Sequence, residues 1–211
     1  PGYAEKTTNV PMLIATTINE LQRLNYNRNI TLEQARTELQ RTFADETDAY
    51  IDAFAEAYPD YTPQDLLSID WLFRPKTIIT ADYVAKSRKA KTYTYMFTWR
   101  SPINKGSVHG NELNFCFNTL ERAGNELPQP TEQDYELADI MSSVWAQFAK
   151  TGNPNIKELP KWKAYTAENG EMMIFDYNCE IRNNPDRKLE EIIDRHCFKQ
   201  LDEFRKKQAG K

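Results

Sequence analysis

Glycine is scarce in this chain, 7 residues in 211, against about 7% in ordinary globular proteins. No Gly-Gly-Gly run is present, and none of the six serines (Ser68, Ser87, Ser101, Ser107, Ser142, Ser143) has the glycines of a G-x-S-x-G motif around it. That motif presents a nucleophilic hydroxyl on a strand-to-helix turn, so no serine of the chain reads as a nucleophile. Positive charge is not in excess: 27 basic residues stand against 31 acidic ones, for a net charge of −4. The basic footprint of a nucleic-acid binder is missing, and Arg205-Lys206-Lys207 reads as a solvated helix end favoured by the helix dipole. No apolar run approaches the roughly 20 residues of a membrane span. The longest, residues 12–15 and 172–175, read as buried strands. Only three cysteines occur. There is no C-x-x-C, and His196 merely adjoins Cys197, so no zinc pattern and no metal site is read. Cys116, between two phenylalanines, reads as a small buried apolar residue. Cys179 and Cys197 could pair only if their separate segments meet.

What is present describes a folded chain with a core. Apolar residues make up 40% and aromatic residues 12%, and 211 residues suffice for one domain, read here as spanning residues 1–211 without a linker or repeat. Helical and strand-like stretches alternate. Thr31 to Gln34 is a capping box, followed by Leu32, Ala35, Leu39 and Phe43 at helical spacing. A second helix is expected over 48–58, ending at Pro59, then a turn opening at Thr62 with Pro63 in its first helical position. A longer helix is expected over 70–89. Residues 92–99 alternate Thr and Met with aromatics and read as a strand buried on at least the aromatic face. Thr131 to Asp134 opens a helix whose stripe is Ala138, Met141, Trp145 and Phe148, with Gly152 as its left-handed stop. Residues 171–177 read as an edge-type strand. A final helix is read from Leu189, Ile193, His196/Cys197, Gln200/Leu201 and Phe204, with His196 at the edge of the core.

One of the two histidines, His109, hangs in a loop between Gly106 and Gly110, directly after the 92–99 strand. A histidine off the end of a buried strand can reach a neighbouring loop and move protons near neutral pH. By itself a lone loop histidine is more often a turn residue. Glu20 follows the strand-like run 12–16, and without further information it is a first-turn acid at a positive helix end. In a parallel sheet, however, the carboxyl ends of strands share one edge, where ligands bind. Two residues remote in sequence can therefore meet there.

The residues around His109 resemble the type B carboxylesterases, the family of bacterial para-nitrobenzyl esterases and cholinesterases. In that family Y-x-Y-x-F runs into H-x-x-E-L-x-F-x-F. This chain has Tyr93-Thr-Tyr95-Met-Phe97, then His109-Gly-Asn-Glu112-Leu113-Asn-Phe115-Cys-Phe117. Trp145, Phe148, Ala149, Thr151 to Asn155, Trp162 and Tyr165 continue the pattern. Upstream, Pro11 to Glu20 resembles the strand and turn of the family's acidic residue, except that Leu21 stands where the family usually has Gly.

The resemblance implies the C-terminal portion of an α/β-hydrolase fold, an α/β architecture with mixed sheet strands flanked by helices. Triad members there follow the order Ser, Asp/Glu, His. Glu20 would be the acid that orients the base, and His109 the general base and then general acid of a Ser-Glu-His triad. Glu112 would be structural support, and the 93–99 aromatics core. The scarcity of glycine fits the absence of the N-terminal half, which carries oxyanion loop and nucleophile. The intact protein is expected to hydrolyse a small-molecule carboxylic ester with no metal or organic cofactor. The chain alone is expected to be inactive and, lacking its other half, to self-associate along the strands at 12–16 or 93–97. The rival implication is a non-catalytic, neuroligin-like adhesion protein, and retention of Glu20 and His109 favours the enzyme. A stand-alone binding module is less favoured still.

Overall fold

The computed structural model describes residues 9–20, 29–87, 89–103 and 105–198. Its centre is a four-stranded sheet in the order β1 (Met12–Thr17), β2 (Thr92–Phe97), β3 (Glu171–Phe175), β4 (Glu180–Asn183). β1, β2 and β3 are parallel, and β4 runs antiparallel to β3. The sheet is mixed and flanked by helices, as an α/β reading requires.

Every residue of β2 and β3 is buried, as central parallel strands must be. Side chains alternate between two faces. Tyr93, Tyr95 and Phe97 join Met173 and Phe175 against Leu137, Ala138, Met141 and Val144 of the helix α5 (Glu132–Thr151). Met96, Met172 and Ile174 lie on the opposite face with Tyr58 and Ile78. Burying each of these large side chains contributes roughly 1.5–3 kcal/mol. β3 is thus an inner strand, not the edge strand its sequence suggested. Its outer neighbour β4, Glu-Ile-Arg-Asn, has too little apolar alternation to be read as a strand. β1, expected to be buried, is only half-buried over Met12–Ala15, because among the described residues no strand pairs with its outer edge.

The other helices follow local signals. α1 (Leu32–Phe43) starts with the capping box, Thr31 Oγ1 accepting from the Gln34 amide and Gln34 Oε1 from the Thr31 amide. Ala35, Leu39 and Phe43 are buried, while Leu32 is exposed. α2 (Thr47–Ala57) packs on α1. α3 (Arg74–Ser87) begins four residues later than its spacing suggested. Asp70 is not in that helix but caps it, its carboxylate accepting from the amides of Leu72, Phe73 and Arg74 at 2.9, 2.9 and 2.7 Å. α4 (Leu113–Cys116) is a single turn that buries Phe115, so Cys116 is half-buried rather than buried and Phe117 is exposed. α5 ends at Gly152 with φ 71°. A Cβ there would also stand 2.7 Å from Pro11, so glycine is required on two counts. α6 (Arg187–Ile193) runs into a π-helical turn, Asp194–Phe198, where His196 Nε2 meets Glu46 at 2.7 Å at the edge of the core. Cys179 is a free thiol. The side chain of Cys197, and the expected helical positions from Gln200 through the basic 205–207 run, lie outside the described residues.

Candidate active site

The carboxyl end of β1 turns sharply at 17–20, and the turn is closed by its own side chains. The Thr17 amide donates to Glu20 Oε1 at 2.8 Å, and the Glu20 amide donates to Thr17 Oγ1 at 3.0 Å. Glu20 takes a left-handed φ of 30°, a conformation that costs a non-glycine residue on the order of 1–3 kcal/mol and that tends to mark working sites. The turn then lies alongside the loop that follows β2. The Ile18 amide donates to Phe97 O, the Asn19 amide to Ser107 O and the His109 amide to Glu20 O, each at 3.0 Å. The Asn19 side chain adds two more ties, Oδ1 accepting from the Ser107 amide at 2.7 Å and Nδ2 donating to Ser68 O at 2.6 Å.

This backbone seam brings together the two residues singled out in the sequence. His109 Nδ1 lies 2.7 Å from Glu20 Oε2. The pair is asymmetric: the Glu20 side chain is 9% exposed, that of His109 66%. The hydrogen bond to Glu20 holds the imidazole's pKa above its ordinary value, against a smaller desolvation effect. With Nδ1 engaged, Nε2 is the nitrogen left to exchange protons with a reactant. The Phe73 ring lies nearly parallel to the imidazole, centroids 6.1 Å apart, at the capped start of α3. Leu21 lies outside the described residues.

The other candidates make no hydrogen bond to the Glu20 or His109 side chain among the described residues. Glu112 makes no hydrogen bond or ion pair to His109 among the described residues; burial pushes its carboxyl up, and its Oε2 has no partner. Ser107, two residues from His109, is fully buried with an unpartnered hydroxyl, so it is no nucleophile. Thr17 and Asn19, which shape the turn, were not recognised in the sequence. Their bonds run within a four-residue turn and to residues 49 and 88 positions away, and a hydrophobic pattern records neither. Among the described residues no cluster of three or more His, Cys, Asp or Glu could hold a metal ion. None of the described helices is long and apolar enough to cross a membrane.

A second charged group lies on the α3 side of the sheet. Arg74 donates from Nε and Nη2 to both oxygens of Asp186 at 2.9 and 2.8 Å, with both side chains 2% exposed. Burial pushes Asp186 up, but Arg74 outweighs it and keeps the carboxyl below its ordinary range. Glu190, 3.8 Å from Arg74 Nε, has no hydrogen bond to either oxygen, and burial followed by repulsion from Asp186 pushes it well up. Near the outer edge of β1, Leu13, Ala15, Tyr95, Cys116 and Trp145, with Glu112, line a hollow of about 310 Å³.

Residues 3–192 match the model of the carboxylesterase family. The para-nitrobenzyl esterase of Bacillus subtilis is 34% identical over 143 residues, covering 63% of this chain and 28% of that protein. Human bile salt-activated lipase is 33% identical over 106 residues, covering 45% of this chain and 13% of that protein. Among solved structures, an esterase from anaerobic Clostridium hathewayi, described as able to hydrolyze aliphatic aromatic polyesters, superposes with a TM-score of 0.77 at 27% identity, over 88% of this chain and 38% of that one. A PNB esterase gives a TM-score of 0.57 at 25% identity, over 87% and 38%. The chain therefore spans well under half the length of these relatives.

Proposed function

The chain belongs to the carboxylesterase family, and we propose that it supplies the acid and the base of a Ser-Glu-His triad in a carboxylic ester hydrolase. The observation that carries this reading is the 2.7 Å contact between His109 Nδ1 and the buried Glu20 carboxylate. It has the geometry of a base held by its orienting acid. The serine and the oxyanion donors would come from sequence outside this chain, which covers 28% of the Bacillus subtilis relative.

In the proposed reaction the serine Oγ attacks the ester carbonyl carbon while His109 Nε2 takes its proton. The negative charge formed on the carbonyl oxygen falls to the oxyanion donors. The tetrahedral intermediate collapses, the C–O bond to the alcohol breaks, and Nε2 returns the proton to the departing alkoxide. Water, deprotonated by the same nitrogen, then attacks the acyl carbon; the C–Oγ bond breaks, the acid leaves, and Nε2 returns the proton to the serine Oγ. Glu20 holds the imidazole through Nδ1 and stabilises the imidazolium. No metal or organic cofactor is needed. The substrate is a small-molecule ester, in keeping with the names of the relatives.

The half-buried β1 edge and the apolar hollow beside it support a companion proposal, that the N-terminal portion of the protein covers this side. In a chain made without that portion, the same edge would pair with a second copy. The short, shielded Glu20–His109 bond favours the enzyme over a non-catalytic binding relative. The test is a steady-state p-nitrophenyl ester assay on the full-length protein and its His109→Ala variant. We expect turnover to fall by about 10⁴-fold or more with the fold intact; turnover at the wild-type rate would overturn the reading. The isolated chain should show no hydrolysis above background.

A further inference from the structure

We propose that Asn19 is a positioning residue for the reaction, holding the acid turn in register with the histidine loop so that the Glu20 carboxylate meets His109 Nδ1. The proposal rests on the reading of Glu20 and His109 as acid and base. Asparagine in a tight turn usually bonds its own backbone. Here the carboxamide reaches outward instead. Oδ1 accepts from the Ser107 amide at 2.7 Å, and Nδ2 donates to Ser68 O at 2.6 Å. The Asn19 amide meanwhile donates to Ser107 O at 3.0 Å. Backbone and side chain of one residue thus grip both backbone polar groups of Ser107, two residues before His109. The residue is 7% exposed, so water does not compete well for these bonds.

The opposite loop is shaped to receive the carboxamide. A Cβ on Gly106 would lie 2.6 Å from Asn19 Oδ1, so one of the two would have to shift. Gly106 is therefore needed for the space that it leaves to this side chain. The same turn is fixed from a third side, where the Asp70 amide donates to Ile18 O at 2.9 Å. Asp70 also caps the helix whose preceding residue, Phe73, faces the imidazole. Asn19 touches neither His109 nor the Glu20 carboxylate in any hydrogen bond of the described residues. Its effect would pass through the relative placement of two loops, and displacements near 1 Å can cost about 10²-fold in rate.

The experiment uses the full-length protein and compares Asn19→Ala, Asn19→Asp, Gly106→Ala and the Asn19→Ala/Gly106→Ala double variant, with His109→Ala alongside. Ester turnover is measured across pH, together with thermal melts. We expect Asn19→Ala to lower kcat about 10- to 100-fold with KM within a factor of about two. The acid limb of its pH profile should move to lower pH as the Glu20 bond to the imidazole loosens. Asn19→Asp keeps an acceptor for the Ser107 amide but loses the donor to Ser68 O, so it should recover part of kcat relative to Asn19→Ala. Gly106→Ala should lower kcat similarly, and in the double variant it should add nothing, since the two changes act on one contact. If Asn19→Ala is unfolded at the assay temperature, the Asn19→Asp and Gly106→Ala results decide. Wild-type kcat and pH profile in the Asn19→Ala or Gly106→Ala protein, or additive losses in the double variant, would overturn the proposal while leaving the triad reading in place. Undiminished turnover in His109→Ala would overturn both.

Discussion

The Glu20–His109 and Arg74–Asp186 pairs have nearly the same length, 2.7 and 2.8 Å, and opposite surroundings. Arg74 and Asp186 are both 2% exposed. Their charges are locked to one another, and neither can trade a proton with a reactant. In the other pair the acid is buried and the base is 66% exposed. The carboxylate is shielded enough to act strongly on the imidazole, and the imidazole is open enough to be used. Contact distance does not distinguish the two pairs; the difference in solvent access between the members of each does.

The sharpest way to break this contrast is to remove the acid from the open pair. In the full-length protein Glu20→Gln should lower kcat by about 10³- to 10⁴-fold, because the amide cannot stabilise the imidazolium and selects the wrong tautomer. It should also move the acid limb of the pH profile. If His109 is the base it works only when neutral, and the Glu20 bond raises its pKa, so wild-type turnover should be lost as pH falls through a value above the ordinary 6.5 or so. Without the carboxylate the limb should shift to lower pH. An unmoved limb in a kcat–pH series would show that Glu20 does not act on this histidine.

Breaking the closed pair should give the converse result. Asp186→Ala leaves a buried guanidinium uncompensated and should cost about 3–5 kcal/mol of stability, read from urea unfolding. Turnover per folded molecule should stay close to wild type. A smaller change follows at Glu190. Its folded pKa is raised, so its stabilising contribution is present below the unfolded value of about 4.3 and is lost as pH rises. Glu190→Gln should therefore raise the melting temperature by a few °C at pH 8, at about 2–4 °C per kcal/mol for a chain of this size, and leave it unchanged near pH 4. A gain that is the same at both values would rule out the buried charge as its cause. The smallest effect is expected far from both pairs: Thr31→Ala removes the α1 cap and should cost about 1 kcal/mol with no change in either pH profile.

The open pair was legible in the sequence and the closed pair was not, for a physical reason. His109 and Glu20 follow strand-like runs, and the H-x-x-E-L-x-F-x-F and Y-x-Y-x-F patterns carry their neighbourhood. Arg74 and Asp186 lie 112 positions apart, one at the start of a helix and one after a short polar strand, where nothing local marks burial. The inner strands 92–97 and 171–175 were visible from the alternating aromatics of the first and the apolar run 172–175 of the second. Whether each lay at an edge was not, since edge position depends on what pairs alongside. Asp70 was read as part of a helix because capping acids and helical acids look alike without the backbone.

The parallel pairing of β1 with β2 has a consequence for recombination. Glu20 and His109 follow neighbouring strands joined by a hydrogen-bond ladder, so a crossover placed upstream of β1 would transfer the pair as one heritable unit. Chimeras that join this chain to nucleophile halves from different relatives should keep a common acid limb in their pH profiles while their ester preferences diverge.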